Sequence, residues 1–244
     1  MSLCFFLVSV QSDPLILPGA FILSIMEAAA LRELLAPFVP PGELDSHLLE
    51  SIRVHLELLI RWNQRMNLTA LRTPEAMVER HFGESLFAAR HLLPRDSAQG
   101  VTDLGSGAGF PGLPIKYWAP TIALTLVESH GKKATFLREV CRALPHLADV
   151  AVLNGRAESL SQCARGNASL PAAGAGLVTL RAVERFEQIL PIAASLVAPG
   201  GRLALLIGES QHALALSLLP AGSSSVVSLP SSEQRILLTW SPTP

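Results

Sequence analysis

Two rhythms divide the chain. Between Glu27 and Leu93 apolar residues recur at intervals of three and four, which gathers them on one side of a helix. The pattern predicts a helix over 27–38, stopped by Pro37, Pro40, Pro41 and Gly42. A second helix is predicted over 44–62, with Leu48, Ile52, Leu56 and Leu59 on one face. A third runs over 74–93, with Thr73 as its cap and Pro74 in its first turn. After the break from Pro94 to Gly100, short apolar runs at 101–104, 122–127, 150–153, 177–180, 202–207, 226–229 and 236–240 alternate with helical stretches. Such alternation implies right-handed crossovers and a mostly parallel sheet covered on both faces. Only the link from Pro230 to Gln234 separates the last two runs, predicting an antiparallel hairpin at the sheet's end. Patches rich in Ala, Gly and Ser at 164–176 and 219–225 read as loops. The expected class is α/β: a Rossmann-like, mostly parallel seven-stranded sheet over 96–244, preceded by an N-terminal helical segment over 26–95.

Residues 1–25 stand outside both rhythms. Their apolar runs, Cys4 to Val8 and Pro14 to Leu17, hint at a secretory segment, but they carry no Lys or Arg and are too short to span a bilayer. Met26, directly ahead of the amphipathic stretch, reads as the natural start, and 1–25 as a disordered or mis-assigned extension. With 49% hydrophobic and 16% charged residues, a 244-residue chain can build one α/β domain with a helical attachment, which excludes disorder as the dominant state. A net charge of -1 gives no global basic field, so any nucleic-acid contact must come from a local patch. Cys4, Cys141 and Cys163 are odd in number and widely spaced, which fits neither a disulfide framework nor a metal set. The histidines show no metal spacing either. The expectation is a reducing cytoplasm, no membrane, no metal and a monomeric chain.

The densest chemistry lies at 103–109, Asp-Leu-Gly-Ser-Gly-Ala-Gly, between a short buried strand and a helix opened by Pro111. Glycines there permit positive φ and close approach of a ligand to the backbone. A dinucleotide loop places its third glycine where Phe110 stands. A bulky residue at that position fits the shorter Gly-x-Gly-x-Gly turn of methyltransferases, whose cofactor has no pyrophosphate to seat. Glu128, 23 residues beyond Gly105 at the end of the second strand, is placed to accept both hydroxyls of a ribose. Asp103 offers an anion for the methionine ammonium, or simply a cap for the following helix. Asn154, Gly155, Ala157 and Glu158 follow the third strand, where adenine contacts belong. These groups share the carboxyl ends of three strands, where open α/β sheets bind ligands. The site therefore reads as one for S-adenosylmethionine in a methyltransferase fold.

The string Asp103-Leu-Gly-Ser-Gly-Ala-Gly-Phe-Pro-Gly-Leu-Pro114 closely resembles the signature of the RsmG (glucose-inhibited division protein B) family of ribosomal RNA methyltransferases. Trp62-Asn63-Gln-Arg-Met-Asn67-Leu68-Thr69 is similar to the family's W-N-x-x-x-N-L-T block, and Arg80-His81-Phe-Gly-Glu-Ser85-Leu86 to its R-H-F-x-D-S-L block. Glu128-Ser-His-Gly131-Lys132-Lys133 with Phe136-Leu137, and Arg181-Ala182, match two more, in the right order from Glu27 to Gly208. The resemblance implies methylation of N7 of one guanosine in bacterial small-subunit (16S) rRNA, with S-adenosylmethionine as donor. It also implies cofactor contacts at Gly105, Phe110, Glu128, Ala157, Glu158 and Arg181, to which the residue-level reading adds Asp103 and Gly107. Two departures stand out: Ile207 replaces a lysine frequent before Gly208, and Gly176 replaces an aspartate usual at the start of strand four.

Arg61, Arg65, Arg72, Arg80, His81, Arg90 and His91 accumulate in the helical segment, with Lys132, Lys133 and Arg181 nearer the cofactor mouth. Together they form a candidate RNA face, with Arg181 a possible contact to the target base. The competing reading is a solvated helix face whose arginine stems cover apolar surface. Trp62, Asn63, Asn67 and Thr69 are likewise either RNA contacts or core and turn residues. Three other functions use the same features: a small-molecule or protein methyltransferase, a noncatalytic RNA-binding or ribosome-assembly protein that keeps the fold, and a nicotinamide oxidoreductase. Phe110 disfavours the last.

Overall fold

A computed structural model describes residues 26–158, 174–183 and 185–243. The expected extension 1–25 lies outside them, as does the patch 164–176 up to residue 173. Helix α1 (Ala28–Leu35) buries Leu31 and Leu35. Helix α2 (Ser46–Asn63) buries the expected stripe of Leu48, Ile52, Leu56 and Leu59. The Asp45 carboxylate starts α2 by accepting the Leu48 N–H at 2.8 Å, satisfying one of the helix's free donors. The third expected helix is split into α3 (Pro74–Met77), a π-helical turn (Val78–Gly83) and α4 (Glu84–Leu92). Thr73 caps it, accepting the Ala76 N–H at 3.3 Å. The π turn shifts the phase of the helix face at Arg80 and His81, a feature that recurs at functional sites.

The sheet contains β1 (Gly100–Leu104), β2 (Ala123–Glu128), β3 (Val150–Asn154), β4 (Ala175–Arg181), β5 (Val197–Gly208), β6 (Gly222–Ser228) and β7 (Arg235–Pro242). Among the described residues its seven strands lie in the order β3-β2-β1-β4-β5-β7-β6. The first five are parallel, and β7 runs antiparallel between β5 and β6, so the terminal hairpin closes one edge. Crossovers are made by α5 (Gly112–Trp118), α6 (Gly131–Ala143), α7 (Phe186–Ser195) and α8 (His212–Leu218). Two expected loops are strands instead. Gly222 to Ser225 belong to β6, an exposed edge strand held by its ladder to β7 and by a 2.5 Å hydroxyl bond between Ser225 and Thr239. Ala175 and Gly176 begin β4.

Both faces of the sheet are covered. On one, Ile52, Leu56, Phe82 and Leu86 of the helical segment share a continuous core with Leu113, Leu126 and Phe136. On the other, Leu104, Val127 and Leu180 pack with Leu190, Ile207 and Trp240. Strand β1 lies between β2 and β4, so the order of connection reverses beside it and a crevice opens at the strands' carboxyl ends.

Candidate functional site

The loop leaving β1 turns on residues that only glycine accommodates easily. Gly105 has φ +68, and a Cβ there would stand 2.5 Å from Val183 Cγ1. Gly107, at φ +56, has nothing nearer to a Cβ than the Gly105 carbonyl at 3.8 Å. The N–H groups of Gly105 and Ser106 both donate to Val127 O, at 2.9 and 3.0 Å, tying the loop to the end of β2. Beside it lies a cleft of about 430 Å³, lined by this loop, by Val127 to His130, by Gly155 to Glu158, and by Arg181 to Val183. Leu68, His81, Lys133, Arg185 and Ile189 complete its wall.

Glu128 is anchored from two directions. One carboxylate oxygen accepts the Gly107 N–H at 2.8 Å and the other the His130 N–H at 2.7 Å. Each oxygen keeps a further lone pair for a ligand hydroxyl. Ala157 and Glu158 lie in the cleft wall, but Asn154 does not: its amide donates to Glu128 O at 2.9 Å and Ser129 O at 3.2 Å, clamping β3 to β2. Asp103 is not among the residues lining the cleft. Its carboxylate is fully buried beneath the loop, accepting from the Thr179 hydroxyl at 2.7 Å and from the Gly112 N–H at 3.3 Å. The free donor at the start of α5 thus takes the carboxylate expected to face the cofactor. Burial pushes the Asp103 pKa up to about 6, against the opposing pull of the Thr179, Ser106 and Gly112 hydrogen bonds.

Phe110 is the middle ring of a stack. His55 lies parallel to it at 5.0 Å and His81 on its other face at 4.6 Å, while Phe82 meets it edge-on at 4.9 Å. His55 Nε2 is 2.9 Å from the Ala108 carbonyl, which can only accept, so Nε2 carries the hydrogen. Nδ1 therefore accepts from the Tyr117 hydroxyl at 3.0 Å. Burial holds His55 neutral, its pKa lowered to about 3. His81 is lowered to about 3 as well, first by burial and then by nearby Arg181. Its Nε2 meets Thr69 Oγ1 at 2.7 Å, and its Nδ1 is buried without a hydrogen-bond partner among the described residues. His81 is thus a neutral wall of the cleft, not the cation expected for phosphate. The sequence reading missed His55 and Tyr117, although His55 falls on the same helical stripe as Ile52, Leu56 and Leu59. A histidine among leucines was the available signal.

Arg181 joins β4 to the helical segment. It donates to Ser85 Oγ at 3.3 Å, to the carbonyls of Arg80 and His81, and to Glu84 Oε2 at 3.0 Å. Burial lowers its pKa to about 10, with the Glu84 carboxylate pulling the other way. The sequence reading gave no role to Glu84 or to Arg235, which reaches the same carboxylate at 2.9 Å.

The rRNA small subunit methyltransferase G (GidB) family matches residues 48–219. The chain belongs to this family. It is similar to the ribosomal RNA small subunit methyltransferase G of Xanthomonas axonopodis pv. citri, 38% identical over 179 residues, 73% of this chain and 77% of the relative. The protein of the same name from Chloroflexus aggregans is 41% identical over 160 residues, 66% of this chain and 64% of the relative. Among solved structures, a predicted O-methyltransferase from Agrobacterium tumefaciens superposes with a TM-score of 0.52 at 22% identity, covering 64% of this chain and 79% of that one. The fibrillarin/Nop5p complex gives 0.51 at 15% identity, covering 65% and 79%. These two likenesses establish the Rossmann-like methyltransferase fold. The protein is an S-adenosylmethionine-dependent rRNA methyltransferase. Its cleft suits that cofactor, since the loop lines it with the side-chain-free Gly105 and Gly107 and Glu128 presents a carboxylate anchored against that loop.

The candidate RNA residues fall into groups. Arg61 pairs with Glu139 at 2.8 Å, Arg90 with Glu43 at 3.0 Å, and His91 packs on Phe87. Arg65, Arg72 and Lys132 are exposed, whereas half-buried Lys133 lines the cleft. Trp62 packs edge-on against Phe136 at 5.6 Å, and the Asn63 side chain accepts the N–H groups of Leu68 and Thr69 at 2.9 and 3.0 Å. Those two side chains build core and turn, while Asn67 is exposed. Of the two departures, Ile207 is buried in the core and Gly176 lies at the start of β4, the end opposite Arg181. No helix among the described residues is long and apolar enough to cross a membrane.

Proposed function

We propose that this enzyme binds S-adenosylmethionine along the carboxyl ends of β1 to β4 and methylates N7 of a guanosine in 16S rRNA. The observation that carries the reading is Glu128, fixed between Gly107 and His130 at the wall of the cleft. S-adenosylmethionine supplies an electrophilic methyl group on a sulfonium centre. Gly105 and Gly107 let the loop backbone approach the methionine part, Glu128 accepts the ribose hydroxyls, and Ala157 with Glu158 flanks the adenine. Phe110, gripped between two neutral imidazoles, walls the cleft beside the loop. Guanine N7 carries a lone pair and no proton, so attack along the methyl–sulfur axis requires positioning rather than a general base. Neutral His55 and His81, both engaged in hydrogen bonds, fit that requirement. Exposed Arg65, Arg72 and Lys132 supply cations for phosphate. The substrate is 16S rRNA or the small ribosomal subunit, and the enzyme acts as a cytoplasmic monomer.

The test is transfer of labelled methyl groups to small subunits that lack the modification, followed by mapping of the labelled base. Label on one guanosine N7 is expected; label on protein, or no transfer, overturns the reading. Glu128→Ala should weaken S-adenosylmethionine binding by about 1 to 3 kcal/mol, the scale for losing a charged hydrogen-bonding partner. Titration calorimetry checks this, and an unchanged affinity removes Glu128 from the site.

A further inference from the structure

We propose that Arg235 and Arg80 form a phosphodiester-binding site at the rim of the cleft, organised by the buried carboxylate of Glu84. The proposal rests on the rRNA reading above and names where the substrate's backbone is held.

Glu84 is the acidic member of a cluster with three guanidinium groups: Arg181 at 3.0 Å, Arg235 at 2.9 Å and Arg80 at 3.0 Å. One carboxylate cannot balance three cations, and although buried Asp103 also acts on Arg181, the cluster keeps an excess of positive charge, in a chain whose overall net charge is -1. Arg181 is spent internally, because its remaining donors face a hydroxyl and two backbone carbonyls. The other two differ. The Arg80 side chain is 44% exposed and that of Arg235 23% exposed, so both reach solvent from a buried anchor. Arg235 Nε, itself buried, has no hydrogen-bond partner among the described residues, and neither does Glu84 Oε1, so the internal pairing of the cluster is incomplete.

Position points to the substrate side. Arg235 opens β7 directly opposite Gly208, the last residue of β5. Arg80 immediately precedes His81, and both His81 and Arg181 line the cleft. The residue before Gly208 is buried Ile207, so β5 brings no cation to this end of the sheet, whereas β7 brings one. A guanidinium held by a carboxylate on one side still offers a planar fork to a phosphate on the other, and pre-fixing it lowers the entropy lost on binding. An RNA phosphate fits because each carries one negative charge and the chain of phosphates can meet both arginines.

The experiment measures binding of unmodified 16S rRNA across a salt series, alongside the affinity for S-adenosylmethionine, for wild type, Arg235→Gln and Arg80→Gln. Each variant is expected to bind rRNA about tenfold more weakly, with the slope of log affinity against log salt reduced by about one. Cofactor affinity should stay within about twofold, because neither arginine is assigned to the cofactor. Wild-type binding with an unchanged slope in both variants overturns this inference alone. A cofactor loss equal to the rRNA loss also overturns it, since the cluster then serves the methionine carboxylate. Wild-type protein that binds neither unmodified 16S rRNA nor unmodified small ribosomal subunits overturns the functional reading and this inference with it. Should Arg235→Gln fail to fold, exposed Arg80→Gln carries the slope measurement, and Arg235→Lys, which retains the charge, should restore the wild-type slope.

Discussion

Replacing Glu84 with alanine should destabilise the fold by about 3 to 5 kcal/mol, the usual cost of stranding a buried charge by removing its partner. The side chain is 1% exposed, and the arginines left behind include Arg181, 7% exposed, with Arg235 beside it. Neither can shed its proton near neutrality, so the loss of the carboxylate is not relieved by titration. Glu84→Gln, which keeps volume but not charge, should lose most of the same stability, and urea unfolding of both variants at neutral pH measures it. A loss below about 1 kcal/mol in both would mean that the carbonyl bonds of Arg181 suffice, a range ordinary for exposed ion pairs. The change also reaches the site. Arg181 holds the carbonyls of Arg80 and His81 in the π turn, and that turn presses the His81 ring onto Phe110. A loosened Arg181 therefore frees one face of the Phe110 stack, so cofactor affinity should fall along with stability.

The same cluster shows what the sequence could not display. Strands β1, β2 and β3 were legible because each is a short apolar run whose burial needs no knowledge of its neighbours. The terminal hairpin was legible from its short connection. Strand β6 was only half legible, since Gly222 to Ser225 have the composition of a loop and become a strand through their ladder to β7. The π turn left no trace because the apolar spacing on either side of it continues as in any helix. Within the site, Gly105, Phe110 and Glu128 lie near one another in sequence and follow a local pattern, so they could be picked out. Asp103 was legible as an acid at a strand end, but spacing does not reveal which donor an acid will meet, and the nearest proved to be the Gly112 N–H. Glu84 and Arg181 are 97 positions apart, and only the packing of helix on sheet makes them partners.

Stability should fall steadily as the pH is lowered from 6 toward 4, and His55 sets much of the slope. Its folded pKa of about 3 lies below the ordinary 6.5, so its contribution is present above pH 6.5 and is lost as the pH drops toward 3. A gap of that size is on the order of 5 kcal/mol across the window. His81, lowered to about 3 as well, acts with the same sign. Asp103 opposes them: its folded pKa of about 6 lies above 3.8, so its contribution is present below pH 3.8 and lost as the pH rises through 6. Between pH 6 and 4 two histidines work against one aspartate, so the balance of these three groups is a loss of stability on acidification. The variant that isolates the effect is His55→Phe, which keeps an aromatic ring beside Phe110 and removes the titrating group. It is expected to be less stable at neutral pH, because the Ala108 carbonyl and Tyr117 hydroxyl lose their partner. Its stability should nevertheless fall less steeply than that of the wild type between pH 6 and 4, because one of the two histidines that oppose protonation is gone. Urea unfolding at a series of pH values tests this, and parallel curves for the two proteins would show that His55 is not held neutral. Protonation of His55 at Nδ1 would also reverse the bond from Tyr117, so the proton that destabilises the fold enters directly beneath the Phe110 ring that walls the cleft.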